Sequence, residues 1–515
     1  MRKMVSLAVV VSMVVILKMG AVPIFASSFK ILGTRPLGMG GAFVAVAEDA
    51  IAQYWNPAGF ALQKGLDIQI PVGVSIETTQ GLLKEVDDLG DMAKTVSQIQ
   101  NSQKNPGTFS KDLLDEFVMA INELDDLNKS GLGLILDINA GLNIRFRNLG
   151  LGVINITELG ADPDLDLENI GLGTIDSDAL KDLCQDFNGD GQNGNPSLSE
   201  SQKDIARDVA KVLDTLVPAG PGVSDWDNLK IAEELVSAGL DEGLPEEVVR
   251  EVAKTIAEAA GKLVKGGGTG SDGGFNNNQT NIRLNGLMLF EVPVTYARAL
   301  PWVNNLYVGG NLKFMYGTVG FAQFDVFSGE DLTKSLYEDY KDNYKTSTTI
   351  GVDIGALYDL KESLGLRFGM VARNLNYPSF AQPKEAKAVG LDKYVIEPQV
   401  RIGAAYWPLN FITLSADLDV TNNKTVLPGY QSRMFGLGAE VNILNKSWLN
   451  LALRGGFMDN LSESYGSMFT AGLGLNLFHL QLDFAGAIST KTTSIGDSQK
   501  FPTSAFGSFG LSVNF

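Results

Sequence analysis

The sequence predicts an all-β transmembrane barrel of about 14 antiparallel strands, with an N-terminal hatch inside the lumen and α-helical extracellular inserts. Three observations carry this reading. Segments of strict apolar/polar alternation recur along the chain, the links between them alternate short and long, and beyond the extreme N-terminus no stretch is long and apolar enough for a spanning helix.

The chain opens on the basic Met1-Arg2-Lys3, followed by the apolar run Met4 to Leu17 and by Ile24-Phe25-Ala26 before Ser27, which reads as an export signal over residues 1–26. Residues 27–65 form the expected hatch. Within them, residues 33–61 are rich in glycine and small side chains and fit neither a strand nor a long amphipathic helix. Gly38, Gly40 and Gly41 let the backbone turn and approach other backbone closely, and Ala42 to Ala52 is expected to form a short helix. Asn56-Pro57, followed by Ala58, stops that helix, because the residue before a proline is pushed out of the α region.

The barrel is expected over 66–515. Ile68, Ile70, Val72, Val74 and Ile76 alternate with Gln69, Gly73, Ser75 and Glu77, giving a strand with one apolar face. Leu132 to Phe146 is the clearest case, and Leu149 to Thr157 follows as a weaker third strand in which Gly150 and Gly152 suggest a kink. Further strands are expected over 282–297, 306–318, 346–359, 364–375, 395–407, 411–421, 434–444, 448–458, 468–478, 480–489 and 505–515.

Counted from Asp67, every second link is short: Arg147-Asn148, Pro301 to Asn305, Leu360 to Ser363, Pro408 to Asn410, Asn445 to Lys446, and the Phe478-His479 junction. The remaining links are long, and this asymmetry matches short periplasmic turns and longer extracellular loops, whereas a Greek-key sandwich has no reason to place its long loops at one end. Tyr296, Trp302, Trp407, Trp448 and Phe478 lie beside short turns, where an interfacial aromatic girdle is expected. Phe509, Leu511, Val513 and Phe515 alternate through the last strand, which resembles the C-terminal signal read by outer-membrane barrel-assembly machinery.

Two long links carry helical spacing. One insert, over 80–130, contains Leu113, Leu114, Phe117, Ile121 and Leu124. The other, over 158–281, contains Ile205, Val209, Leu213 and Leu216, then a helix started by Pro245. The formal charge is −19 and argues against nucleic acid as a partner. About 16 of those net negative charges fall between Glu158 and Asn281. Cys184 is the single cysteine, which excludes an intramolecular disulfide framework.

The inward-facing polar set includes Asp137, Asn139, Arg145, Glu291, Lys313, Asp353, Arg367, Arg373, Arg401, Asp417, Glu440, Arg454 and Asp483. Such charges are expected to pair with one another and with the hatch. His479 is the only histidine and falls in a short turn, so a Ser-His hydrolase lacks its base and enzyme activity is not expected. Asp186, Asn188, Asp190 and Gln192, with Gly191, match the first half of a calcium loop; Ser197 replaces the bidentate glutamate, and the stretch reads equally as a Ca2+ site or as a polar Asn/Gly loop.

The run Gly38-Met39-Gly40-Gly41-Ala42-Phe43, then Ala47-Glu48-Asp49-Ala50 and Trp55-Asn56-Pro57-Ala58-Gly59, resembles the N-terminal signature of FadL-type outer-membrane transporters of long-chain fatty acids, and Glu291 to Tyr296 resembles one of their strands. PorV-like barrels of type IX secretion and TraF-like barrels of conjugation share the N-terminal pattern. The resemblance implies a barrel embedded in outer-membrane lipid, a hatch containing Asn56, Pro57 and Ala58, and a lateral path for apolar ligands.

Two functions follow as expectations. One is passive uptake of long-chain fatty acids or similar hydrophobic small molecules or lipids, gated by the hatch and requiring no cofactor. The alternative is a PorV-like or TraF-like platform whose acidic inserts recruit a secreted or surface protein partner. The large insert favours the platform, and the resemblance favours the transporter.

Overall fold

The structure is a computed structural model that describes residues 28–79, 133–164, 198–216, 232–233, 236–237, 250, 279–325, 343–446, 448–463, 467–495 and 499–515. The export signal, the helix around Leu113, the Asp186 loop and the helix begun by Pro245 lie outside the described residues.

A closed barrel of fourteen antiparallel strands forms from the alternating segments. Its first half consists of β1 (Leu66–Thr78), β2 (Leu134–Phe146), β3 (Leu149–Asp164), β4 (Asn281–Ala299), β5 (Leu306–Asp325), β6 (Tyr344–Leu360) and β7 (Leu366–Arg373). The second half consists of β8 (Gln399–Leu409), β9 (Ile412–Asp419), β10 (Met434–Asn445), β11 (Leu449–Asn460), β12 (Met468–Leu477), β13 (Leu480–Ser489) and β14 (Ser504–Asn514). Each pairs with its neighbour in sequence, and β1 pairs with β14 from Asp67 opposite Asn514 to Glu77 opposite Ser504, so no edge is left unpaired.

Alternation decides which side each residue faces. Ile70, Val72, Val74 and Ile76 are exposed on the outer surface, while Asp67, Ser75, Asp137 and Arg145 are buried on the inner one. Four of the five aromatic residues expected at the girdle are exposed: Tyr296, Trp302, Trp448 and Phe478. Trp407 differs. It points inward, where Lys361 and Arg367 stand 4.4 and 4.9 Å from its ring, because the alternation of β8 gives the outward position to Tyr406.

The links keep the expected asymmetry, and several short ones turn on residues with positive φ, including Arg147 (54°), Asn305 (63°) and Phe478 (56°). The weak third strand is longer than expected and runs to Asp164. It carries no register shift: its ladder to β2 is continuous from Leu149 to Ala161, and its pairing to β4 resumes in the same register beyond Pro293. The pairing to β4 is interrupted at Gly152 and Val153, opposite Pro293 and Val292, and Gly150 and Gly152 are approached on the inner side by Phe60 and Gln53.

Two long links fold back over the mouth at the long-link end. One contains a hairpin pairing Ser379–Ala381 with Lys393–Val395 and buries Phe380, Tyr394 and Ile396 against Leu287, Leu289, Met315 and Val319. The other buries Val426, Leu427 and Tyr430 against Ile135. In the acidic insert, Glu200–Leu216 is a helix whose apolar stripe buries Ile205, Ala206, Val209 and Ala210.

Candidate functional site in the barrel lumen

Residues 29–61 pack against the inner wall. The expected helix over Ala42 to Ala52 does not form. Short helices occupy Thr34–Gly38 and Ala52–Trp55, and a 3-10 turn occupies Pro57–Ala61. Wall side chains supply the reason, because they satisfy backbone groups that a helix would have used: Phe43 N and Val44 N both donate to Asp417 Oδ2 at 2.8 Å, and Ala42 O accepts from Ser415 Oγ at 2.8 Å.

The sequence-predicted hatch residues make the closest approaches. Gly40, with φ 62°, donates its N–H to Thr470 Oγ1 at 3.1 Å, and the same hydroxyl donates to Gly38 O at 3.1 Å. A Cβ on Gly40 would lie 2.4 Å from Leu437 O, so both conformation and space require glycine. Gly41 also has positive φ, at 73°. Asn56 caps the 3-10 turn by accepting from Ala58 N at 3.2 Å, and its Nδ2 donates to Val44 O and to Ala356 O on β6, each at 3.1 Å. Pro57 presses on the wall at Gly309 and Gly355.

The wall is cut to fit. A Cβ built on Gly150 would lie 2.1 Å from the Phe60 ring, on Gly152 2.3 Å from Gln53, on Gly309 2.5 Å from Pro57, and on Gly436 2.3 Å from Gly40 O. These inward glycines trace the footprint of the segment, and they account for part of the 57 glycines of the chain.

Most of the inward-facing charges pair with one another or with the N-terminal segment. Lys30 Nζ meets Asp137 at 2.9 Å and Glu158 at 2.6 Å. Burial alone would push the Lys30 ammonium down, and these two carboxylates reverse that and hold it above its ordinary range. Lys313 bridges Glu291 (3.0 Å) and Asp353 (3.1 Å), Arg367 bridges Glu48 (3.2 Å) and Asp359 (3.1 Å), and Arg373 reaches Glu291 at 3.2 Å. Arg454 joins Glu440 (2.7 Å) to Asp483 (2.5 Å). Arg401 pairs with both oxygens of Asp419 and stands 4.0 Å from the Phe29 ring, while Arg373 stands 3.8 Å from that of Tyr54. Among the described residues Arg145 has no carboxylate at ion-pair distance, and Asp417 has no cation at that distance and is met by main-chain N–H groups instead.

Sequence reasoning missed the segment's own anchors: Lys30, Arg35, Gln53, and the ring cluster of Phe29, Phe43, Tyr54 and Trp55, whose centroids lie 5.3 to 6.0 Å apart. Basic residues flanking a glycine-rich stretch in an acidic chain were the available signal. His479 is tied to the barrel seam, with its ring stacked on Phe515 at 4.9 Å and Nδ1 donating to Asn514 O at 2.6 Å.

A family model described as "F plasmid transfer operon, TraF, protein" matches residues 53–419, most of the chain and nearly all of the first nine strands. The chain belongs to the TraF family. No curated protein matches it. Solved barrels similar to this TraF-family chain include the toluene transporter TbuX of Ralstonia pickettii, 13% identical over 95% of this chain and 100% of that one with a TM-score of 0.42. They also include the toluene transporter TodX of P. putida (9%; 95% and 99%; 0.40) and a FadL homologue of Pseudomonas aeruginosa (10%; 96% and 99%; 0.39). The TraF-family barrel, with a continuous outer apolar surface and a sealed seam, is an outer-membrane protein.

Proposed function

We propose that this TraF-family protein is a closed outer-membrane platform for a transfer or secretion assembly, in which residues 27–65 act as a fixed hatch and the acidic insert over 158–281 recruits a protein partner. One observation carries the reading. The segment is anchored around the wall by charge-assisted and main-chain hydrogen bonds, from Lys30 on β2 and β3, through Asn56 on β6 and Phe43 on β9, to Arg35 on β10. Opening a path past it requires several buried pairs to separate together, which suits a scaffold better than a channel cycling with each ligand. The family description names an operon of plasmid transfer, which turns the platform toward that class of machinery. By the usual orientation of such barrels, the short links face the periplasm and the inserts the outside. Phe515 ends the strand that would present the barrel to its assembly machinery.

A second reading is uptake of a hydrophobic small molecule or lipid, and the apolar inner surface of Leu287, Leu289, Met315 and Val319 under Phe380 favours it. In that reading Gly38, Gly40, Gly41, Asn56, Pro57 and Ala58 are gating residues. A deletion strain separates the two. Normal uptake of labelled long-chain fatty acid with a defect in transfer or surface assembly is expected; lost uptake with intact assembly would overturn the platform.

A further inference from the structure

Arg145 breaks the pairing rule of the lumen. It lies on β2 opposite Asp67 on β1, is 6% exposed, and its Nε and Nη1 find no acceptor among the described residues. Asp67 stands across from it without a hydrogen bond to it: Oδ2 accepts from Ala50 N at 2.5 Å, and Oδ1 has no donor among the described residues. Asp49 Oδ1 is likewise unpartnered. All three side chains line one cavity of about 580 Å³ at the short-link end. Of the other charges around that cavity, Arg35 and Arg454 are engaged by Glu440 and Glu48 by Arg367, Asp49 Oδ2 stands 4.0 Å from Arg35, and the Lys64 and Lys446 ammonium groups are exposed at the rim. What remains is one buried guanidinium with spare donors, beside two carboxylates with spare acceptors.

Leaving buried charged donors and acceptors without hydrogen-bond partners is costly, so a site of this kind calls for a ligand that supplies both. We propose that this cavity binds a ligand carrying a free carboxylate beside an ammonium group, namely a short peptide or the C-terminal residues of a partner chain. The carboxylate takes the Arg145 guanidinium, and the ammonium takes Asp49 and Asp67. A phosphate dianion fits worse, because it would face both carboxylates. An apolar ligand would leave the same charges unpaired. The inference rests on the cavity alone and stands whether or not the barrel is a platform.

The test is calorimetric titration of the full-length barrel in detergent micelles with the dipeptide Gly-Lys as probe. Saturable binding is expected. Arg145→Gln weakens it by about tenfold or more, since a charge-assisted fork is lost, whereas Arg147→Gln, on the exposed turn, leaves it unchanged. The amidated dipeptide, which lacks the carboxylate, does not bind. Heat-modifiable electrophoretic mobility verifies that each variant is folded, and Asp67→Asn gives a second variant that weakens binding with Arg145 intact. Displacement of Gly-Lys by a longer peptide ending in the same two residues supports a partner-chain terminus, and binding of the dipeptide alone supports a free peptide. Absence of saturable binding, equal binding by Arg145→Gln, or equal binding of the amide or of inorganic phosphate would overturn the proposal.

Discussion

Arg35 and Glu440 form a two-point ion pair, with Nε and Nη2 each 2.8 Å from a carboxylate oxygen, although 405 positions separate them in the chain. Glu440 also holds Arg454 at 2.7 Å, so one buried carboxylate ties the N-terminal segment to two adjacent strands. Glu440→Ala would strip Arg35 of its close partner and leave Arg454 with Asp483 alone, destabilising the packed segment by about 3 kcal/mol. The expected readout is a larger single-channel conductance in planar bilayers, with a smaller increase for Glu440→Gln.

Asp417 stabilises the turn at Phe43 and Val44 by accepting both amide hydrogens. Asp417→Ala removes the one oxygen that accepts from both N–H groups at a buried site and costs about 2 kcal/mol or more. Faster proteolysis of residues 29–61 in the intact barrel, followed by mass spectrometry, checks this. Unchanged protection would show that the remaining anchors hold the segment without Asp417.

The glycine footprint predicts a position-specific steric effect. In Gly309→Val the new Cβ would lie 2.5 Å from Pro57 backbone, which cannot yield as a flexible side chain can, so the segment is displaced while the barrel still forms. A Cβ on Gly507 meets nothing within 4 Å, and Gly507→Ala is the matched control. Conductance rises in the first variant and stays at the parental level in the second.

Deleting residues 33–61 removes the aromatic cluster and most of the anchors to the wall while leaving all fourteen strands. A folded barrel with a steady open conductance is expected. A closed deletion variant would falsify the view that this segment fills the lumen.

Arg401 sits between Asp419 and the Phe29 ring, a position that uses the planar fork of a guanidinium on one side and its face on the other. Arg401→Lys keeps the charge and loses both contacts. A fall in the apparent melting temperature by several degrees is expected, and near-ultraviolet circular dichroism, which reports packing of Phe29 and Trp55, would lose intensity with it.

Most of the barrel was legible in the residues. Val72, Val74 and Ile76 against Gly73, Ser75 and Glu77 announce a strand and both of its faces, because side-chain alternation is a local property of extended backbone. The inward charges were legible for the same reason. Trp407 was assigned to the girdle from its place beside a turn, and its side of the sheet depended on the exact register of β8. At Gly150 and Gly152 nothing within the strand itself shows that Phe60 and Gln53 lie against them. The loops carrying Phe380 and Tyr430 gave no periodic signal, since their burial comes from the mouth they cover.

The sequence by itself determined the strand spacing, the asymmetry of the links and the polarity of each face, all of which arise from interactions within a few residues. Only the tertiary structure decided that Arg35 meets Glu440, that Lys30 meets Glu158, and that Arg145 finds no ion-pair partner among the described residues. Those outcomes depend on closure of the sheet and on where the segment lies within it. A shift of one residue in any ladder would move the charges to the other face, so the partners are fixed by the assembled register and not by any stretch of the chain alone.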